Sequence, residues 1–199
     1  VQLRALLRAS AFGDIKIMLP LVTAVDEVRK AKALVEECKR ELDAEGVAYN
    51  KDIEVGTMIE TPSASLIADK LARECDFFSI GTNDLIGYTM CADRGNVRVA
   101  YLYEVYQPSG LRSLKFLIRE GNKEMIMGGM CGEAAADPLL IPVLLSFGLD
   151  EFSVSAPSVL RTRKTIAAWT KAEADELTAR VMELDTAAEV KALLEREAR

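Results

Sequence analysis

The chain has 199 residues, enough for one large hydrophobic core, and 28% of them are charged. Its net charge of −6 argues against a nucleic-acid-binding surface or a polybasic contact with a membrane. There is no histidine, which excludes histidine bases, histidine metal ligands and Ser-His or Cys-His nucleophiles. Any chemistry must therefore use carboxylates, arginine, lysine, cysteine or a bound metal.

The four cysteines, Cys38, Cys75, Cys91 and Cys131, are scattered and form no CxxC pair, which argues against a structural zinc site. We interpret them as free thiols of a reducing compartment. No apolar run approaches the roughly 18 residues that span a bilayer. The chain begins at Val1 and shows no signal peptide. We expect a cytoplasmic protein without a membrane or nucleic-acid partner.

The first half of the chain alternates helical periodicity with short apolar runs. The predicted order is a helix over 1–10, a strand over 15–19, a helix over 25–42, a strand over 53–59, a helix over 63–73 and a strand over 77–82. Thr61 and Pro62 suit the N-cap and first position of the third helix. A turn is expected over 81–84.

The second half continues the alternation after a less regular stretch. The predicted order is a helix over 111–120 ended by Gly121, a strand over 125–131, a helix over 137–147, a strand over 151–155 and a helix over 159–169. The pairs Thr170/Glu173 and Thr186/Glu189 are capping boxes that begin two terminal helices.

Five strands that alternate with helices predict an α/β fold with a parallel sheet in a single domain, residues 1–199. Polar clusters follow the strands, as at the carboxyl face of a TIM-type (β/α)8 barrel or the matching edge of an open sheet. A complete barrel needs eight strands and about 250 residues. We therefore expect a partial barrel whose amino-terminal strands are missing.

The run 77–85 carries the first candidate site. A carboxylate and an amide, Asp84 and Asn83, follow a rigid strand and suit a metal ion and an oxyanion. Arg94 stands beside Gly95, where a phosphate can approach. The alternative is an ordinary strand followed by an Asx-turn and a solvated charge pair.

Two further residues follow strands. Glu60 ends an apolar strand, where it either shares a Mg²⁺ ion with Asp84 or pairs with a nearby lysine or arginine. Cys131 follows the strand 125–131 between glycines that let a ligand approach, although a cysteine there can also be a small apolar filler.

At this point the chain resembles a known family. Five motifs in order and spacing are similar to the carboxyl-terminal domain of enzyme I of the bacterial phosphoenolpyruvate (PEP):sugar phosphotransferase system: GTMIETP (56–62), FFSIGTNDL (77–85), DRGN (93–96), GMCGE (129–133) and GLDEFS (148–153). The resemblance runs essentially from end to end.

The resemblance implies a PEP-binding (β/α)8 barrel that forms a homodimer. It implies that Glu60 and Asp84 hold Mg²⁺, and that Asn83, Asp84 and Arg94 contact PEP. Cys131 would protonate the methylene carbon as pyruvate forms. The phosphoryl group would pass to a histidine on a separate amino-terminal domain, and from there to a phosphocarrier protein, as the first step of sugar uptake.

Two departures accompany the resemblance. Ile86-Gly87 stands where the family usually has Thr-Gln, and the phosphate-binding arginines of the family's early strands are absent. We therefore expect the fragment alone to be inactive. The alternatives are the related barrel of pyruvate phosphate dikinase or PEP synthase, and a non-catalytic dimerisation fragment.

Overall fold

Five short strands form one parallel sheet in the computed structural model, which describes residues 1–199. They are β1 (Ile17–Leu19), β2 (Val55–Ile59), β3 (Phe77–Gly81), β4 (Met127–Cys131) and β5 (Glu151–Phe152). Their order in the sheet equals their order in the chain. This sequential winding is that of a TIM-type barrel, because a doubly wound sheet reverses its order at a switch point. The predicted five parallel strands are confirmed.

Ten α-helices surround or follow the sheet. They are α1 (Gln2–Ala9), α2 (Val25–Ala44), α3 (Pro62–Leu66), α4 (Ala68–Leu71), α5 (Thr82–Thr89), α6 (Pro108–Lys123), α7 (Ile141–Phe147), α8 (Val159–Ala167), α9 (Lys171–Val181) and α10 (Ala187–Glu197). Three short 3-10 helices lie at Ala100–Leu102, Glu133–Ala136 and Ala156–Ser158. None of the helices combines the length and the apolar composition needed to cross a membrane.

The helix N-caps predicted from the sequence are confirmed. The Glu173 carboxylate accepts hydrogen bonds from the backbone N–H and the hydroxyl of Thr170, and Glu189 does the same for Thr186. Thr61 caps α3 by accepting a bond from the N–H of Ala64. These caps satisfy backbone donors that the first helical turn leaves without partners.

Side chains alternate between the two faces of the sheet, as the pleat requires. Ile59, Phe78, Ile80 and Met130 point toward the helices and lie in a hydrophobic core of 29 buried residues. A second cluster packs α1 and α2 against β1 and β2, and its members are Leu7, Ile17, Val35, Leu42, Ile53 and Val55. Burial of the helix-facing side of the sheet is therefore the main source of stability.

The opposite face of the sheet lines an open cavity of about 390 Å³. Met18, Phe77, Ser79 and Cys131 line this cavity, and the ammonium of Lys16 lies 5.4 Å from the centre of the Phe77 ring. In a sequentially wound sheet, this is the face that would point into a barrel. All four cysteines are free, as expected.

Three helix predictions and one turn prediction need correction. The segment 63–73 forms two short helices because Ile67 leaves the helical conformation, with φ −110° and ψ 22°. This break lets Ala64 and Leu71, on the two pieces, both be buried. The predicted turn over 81–84 is also wrong, because α5 begins at Thr82 directly after β3.

The helices predicted over 111–120 and 137–147 differ from the prediction at their ends. Helix α6 continues past Gly121 to Lys123, because a buried Gly121 fits beneath the Phe78 ring and need not end the helix. Helix α7 begins only at Ile141, because residues 137–140 form a turn in which the Asp137 carboxylate accepts a hydrogen bond from the N–H of Leu139. The strands at 15–19, 53–59, 125–131 and 151–155 are each shorter than predicted.

Gly56 sets how closely β2 and β3 approach each other. A Cβ atom at this position would lie 2.5 Å from the carbonyl oxygen of Phe77 and 2.6 Å from its ring Cγ. The carbonyl oxygen belongs to the paired backbone and cannot move without breaking the sheet.

We predict that Gly56→Ala lowers the free energy of unfolding by about 1–3 kcal/mol, because the added methyl group overpacks the sheet. Gly110→Ala is the matched control, since no atom lies within 4 Å of its added Cβ. Urea titrations followed by circular dichroism measure both. Equal stability of the two variants would contradict the steric account.

Candidate functional site

The polar residues singled out in the sequence meet at the carboxyl edge of the sheet. Glu60 follows β2, Asn83 and Asp84 follow β3, and Cys131 ends β4. The parallel register sets Ile59 beside Ile80 and Gly81 beside Cys131, so the three strand ends lie level. The structure therefore brings these side chains to one edge, as parallel strands do.

Glu60 is a buried carboxylate without a cationic partner. Only 4% of the residue is exposed, and its Oε1 accepts a hydrogen bond of 2.7 Å from the backbone N–H of Leu21. Burial raises the pKa of Glu60, the Leu21 N–H lowers it, and the charge of Asp84 raises it further. The ion pair of Glu60 with a nearby lysine or arginine, which was the alternative to a metal site, is not formed. The negative charge of Glu60 therefore lies beside that of Asp84.

Gly81 makes room for this carboxylate. A Cβ atom there would lie 2.8 Å from both Cβ and Oε2 of Glu60. Any larger residue at the end of β3 would push Glu60 away from Asp84. The absence of a side chain at position 81 therefore allows the Glu60 carboxylate to lie near Asp84.

Thr82 connects the start of α5, which follows β3, to the end of β4. This residue is 1% exposed, and its hydroxyl donates a 3.1 Å hydrogen bond to the carbonyl of Cys131. Gly132 adopts φ +96°, and a Cβ atom on it would lie 2.5 Å from the Thr82 hydroxyl. Only glycine tolerates both the conformation and the contact, so the position of Cys131 relative to α5 is tightly defined.

Cys131 is not sealed in the core. It is half-buried and lines the cavity on the inner face of the sheet. Its Sγ lies 3.5 Å from the carbonyl oxygen of Ile80, to which it donates, and 3.8 Å from the hydroxyl of Ser79, which donates to it. The thiol therefore has a solvent-connected surface and a neighbouring hydroxyl.

Arg94 lines a second cavity of about 440 Å³ together with Asn83 and Asp84. Its guanidinium is half-exposed and donates a 2.6 Å hydrogen bond to the carboxylate of Glu133. The same guanidinium lies 5.8 Å from the centre of the Tyr103 ring. An anion that enters this cavity would compete with Glu133 for Arg94.

The structure thus unites only part of the predicted set. Asn83, Asp84 and Arg94 line the 440 Å³ cavity, whereas Cys131 lines the cavity on the inner sheet face. Glu60 lines neither of them, and its connection to the site is electrostatic, since the charge of Asp84 raises the pKa of Glu60.

Three neighbours of these residues were not singled out from the sequence. Tyr103 lies in the irregular stretch, where no periodicity marks its direction. Thr82 is the last residue of the strand predicted over 77–82. Glu133 is the glutamate of the GMCGE motif, and a glutamate is a natural partner for an arginine.

Residues 1–171 match the family described as PEP-utilising enzyme, PEP-binding domain. The chain belongs to this family. It is 52% identical over 195 residues to the phosphoenolpyruvate-protein phosphotransferase of Geobacillus stearothermophilus, covering 98% of this chain and 34% of that one. It is 51% identical over 193 residues to the protein of the same name from Bacillus subtilis (strain 168), covering 97% and 34%. The chain thus spans about a third of the length of these relatives.

A solved structure supports the architecture. A citrate lyase from Burkholderia xenovorans LB400 superposes with a TM-score of 0.61 at 17% identity, covering 98% of this chain and 66% of that one. At such identity the likeness concerns the fold alone. Together with the sequential strand order, it confirms the predicted α/β fold as a partial barrel of the TIM type.

We predict that Glu60→Gln stabilises the metal-free protein at neutral pH. The pKa of Glu60 is raised by folding, so the ionised side chain costs stability that grows as pH rises above the ordinary glutamate value. Glutamine carries no charge and still accepts the bond from Leu21. The stability difference between variant and parent should widen from about pH 4 to about pH 8 in urea titrations with a chelator.

Glu74→Gln is the control with the opposite sign. The Arg29 side chain lowers the pKa of Glu74, so its charge stabilises the fold above the unfolded pKa, and this gain is lost as pH falls. A Glu60→Gln difference independent of pH would contradict the burial of an ionised carboxylate.

Proposed function

We propose that this chain is the PEP-binding part of a phosphoenolpyruvate-protein phosphotransferase. It binds Mg²⁺ and PEP so that the phosphoryl group passes to a histidine on a separate amino-terminal domain, and pyruvate is released as the first step of sugar uptake. The supporting observation is that a chain of this family carries, at one sheet edge, a cation-free carboxylate pair beside an arginine-lined cavity.

Glu60 and Asp84 are the residues that would hold the metal. Both are oxygen ligands, and their shared negative charge has no lysine or arginine to balance it. Magnesium takes one or two carboxylates and leaves its other positions to water and phosphate, which fits a site with only two acids. When bound, Mg²⁺ would neutralise charge on the phosphate and on the forming enolate.

Asn83 and Arg94 would bind and orient PEP in the 440 Å³ cavity. The guanidinium of Arg94 can exchange its single carboxylate partner, Glu133, for a phosphate oxygen with little loss, because exposed ion pairs contribute at most about 1 kcal/mol. The Asn83 amide can donate to an anionic oxygen of the substrate.

Cys131 would supply the proton that completes pyruvate, which requires the methylene end of PEP to extend from the 440 Å³ cavity to the inner sheet face that Cys131 lines. As the bond between phosphorus and the enol oxygen breaks, the phosphoryl group moves to the acceptor histidine and the enolate remains. The methylene carbon then takes the Sγ proton, which leaves a thiolate that the hydroxyl of Ser79 is placed to stabilise.

The remaining partners belong to the same proposal. The proposal includes a homodimer and a phosphocarrier protein that receives the phosphoryl group through the amino-terminal domain. Four free cysteines and an acidic surface suit a cytoplasmic enzyme without a nucleic-acid partner.

We predict that Glu60→Ala and Asp84→Ala each weaken Mg²⁺ binding by about tenfold or more, and that the double variant adds little, because both carboxylates hold one ion. Calorimetric titration of the chain with Mg²⁺ measures this. Glu54→Ala is the control, since this carboxylate at the amino end of β2 pairs with Lys16. Fully additive losses would contradict a shared ion.

We predict that Cys131→Ala in the full-length protein leaves the KM for PEP nearly unchanged and slows pyruvate release by about 100-fold or more, because a positioned acid contributes that much. A coupled assay for pyruvate measures the rate. Cys38→Ala, a half-buried cysteine on α2, is the matched control. Unchanged turnover of Cys131→Ala would return this residue to the role of apolar filler.

A further inference from the structure

Tyr103 lies between two residues of the proposed PEP site and contacts both. Its hydroxyl donates a 2.8 Å hydrogen bond to the backbone carbonyl of Asn83, and its ring lies 5.8 Å from the guanidinium of Arg94. Burial raises the pKa of Tyr103, so the hydroxyl remains a donor at neutral pH. The residue also lines the 440 Å³ cavity.

The ring is seated against α5 at a glycine. A Cβ atom on Gly87 would lie 3.5 Å from Cε2 of Tyr103 and 3.5 Å from the carbonyl oxygen of Ala92. The ring therefore packs at ordinary van der Waals distance from this part of the helix, while its hydroxyl reaches the first turn. The tyrosine therefore connects the irregular stretch between α5 and α6 to the helix that carries Asn83 and Asp84.

Few other contacts hold the guanidinium of Arg94 in place. It lies within the linking segment between α5 and α6, and a connection of that length usually serves a function. Its ion pair with Glu133 is exposed on both sides and holds it weakly. The Tyr103 ring is the remaining contact that orients the guanidinium, through attraction between a cation and an aromatic face.

We propose that Tyr103 is a positioning residue of the PEP site, which holds Asn83 through its hydroxyl and Arg94 through its ring. The inference rests on the proposed function and adds a residue that fixes substrate affinity. Because Tyr103 contacts residues that bind PEP, and neither its hydrogen bond nor its ring contact involves Cys131, its loss should raise KM and leave kcat nearly unchanged.

The test compares Tyr103→Phe with Tyr103→Leu in the full-length protein, with PEP and Mg²⁺ as probes. Phenylalanine keeps the ring and loses one hydrogen bond, so KM for PEP should rise about 2- to 10-fold. Leucine loses both contacts, so KM should rise by a further factor of about 2 or more. In an Arg94→Met background, the difference between the two variants should disappear, because the ring then has no cation to support.

Tyr106→Phe is the matched control. Tyr106 also donates a hydrogen bond, to Asp137, and also lies near a cation, Lys191, but it does not line the cavity. Its loss should lower the melting temperature and leave KM unchanged.

Three results would overturn the inference. They are an unchanged KM in both Tyr103 variants, a fall in kcat with KM unchanged, or a ring effect that persists without Arg94. A parent protein that neither binds PEP nor releases pyruvate would instead overturn the proposed function, and this inference with it.

Discussion

The parallel pairing of β2, β3 and β4 is the constraint on which the rest of the molecule depends. Because the three strands run in the same direction and end level, the residues that follow them meet at one edge. Glycines at the contacts set the spacing, since Gly56 admits the Phe77 backbone and Gly81 admits the Glu60 carboxylate. The helix-facing side chains bury the core, which leaves the opposite face and the carboxyl edge free for chemistry.

The carboxylate pair formed by Glu60 and Asp84 is electrostatically unfavourable in the free protein. Glu60 is buried beside Asp84, and no cation of the chain compensates the pair. A dication bound at this pair, as proposed, would relieve the repulsion between the two carboxylates and would thereby link its binding energy to the folding energy. The hydrogen bond from the Leu21 N–H holds the Glu60 carboxylate in the interior. Cys131 is held in turn through Thr82 and the left-handed backbone of Gly132.

The phosphate side of the site is organised differently. Arg94 lies on an irregular segment, paired with an exposed glutamate and resting near one aromatic ring. Such contacts are weak singly, so this side chain can be exchanged between Glu133 and a substrate anion. Asp84 and the exchangeable Arg94 thus line the same cavity, which suits the proposed ligand, whose phosphate would carry both a metal-bound and a free oxygen.

Much of the fold could be predicted from the sequence alone, because strand composition and capping boxes act locally. The five parallel strands, most helices and the placement of Glu60, Asp84 and Cys131 at the carboxyl ends of strands were predicted, whereas a single site shared by these residues stays a proposal. The break at Ile67 and the helix at Thr82 were missed, since burial on two elements overrides propensity there. Only the tertiary structure decided that Glu60 has no cationic partner, that Arg94 pairs with Glu133, and that Tyr103 reaches Asn83. These contacts join residues from separate loops, whose relative positions depend on packing that no local pattern records.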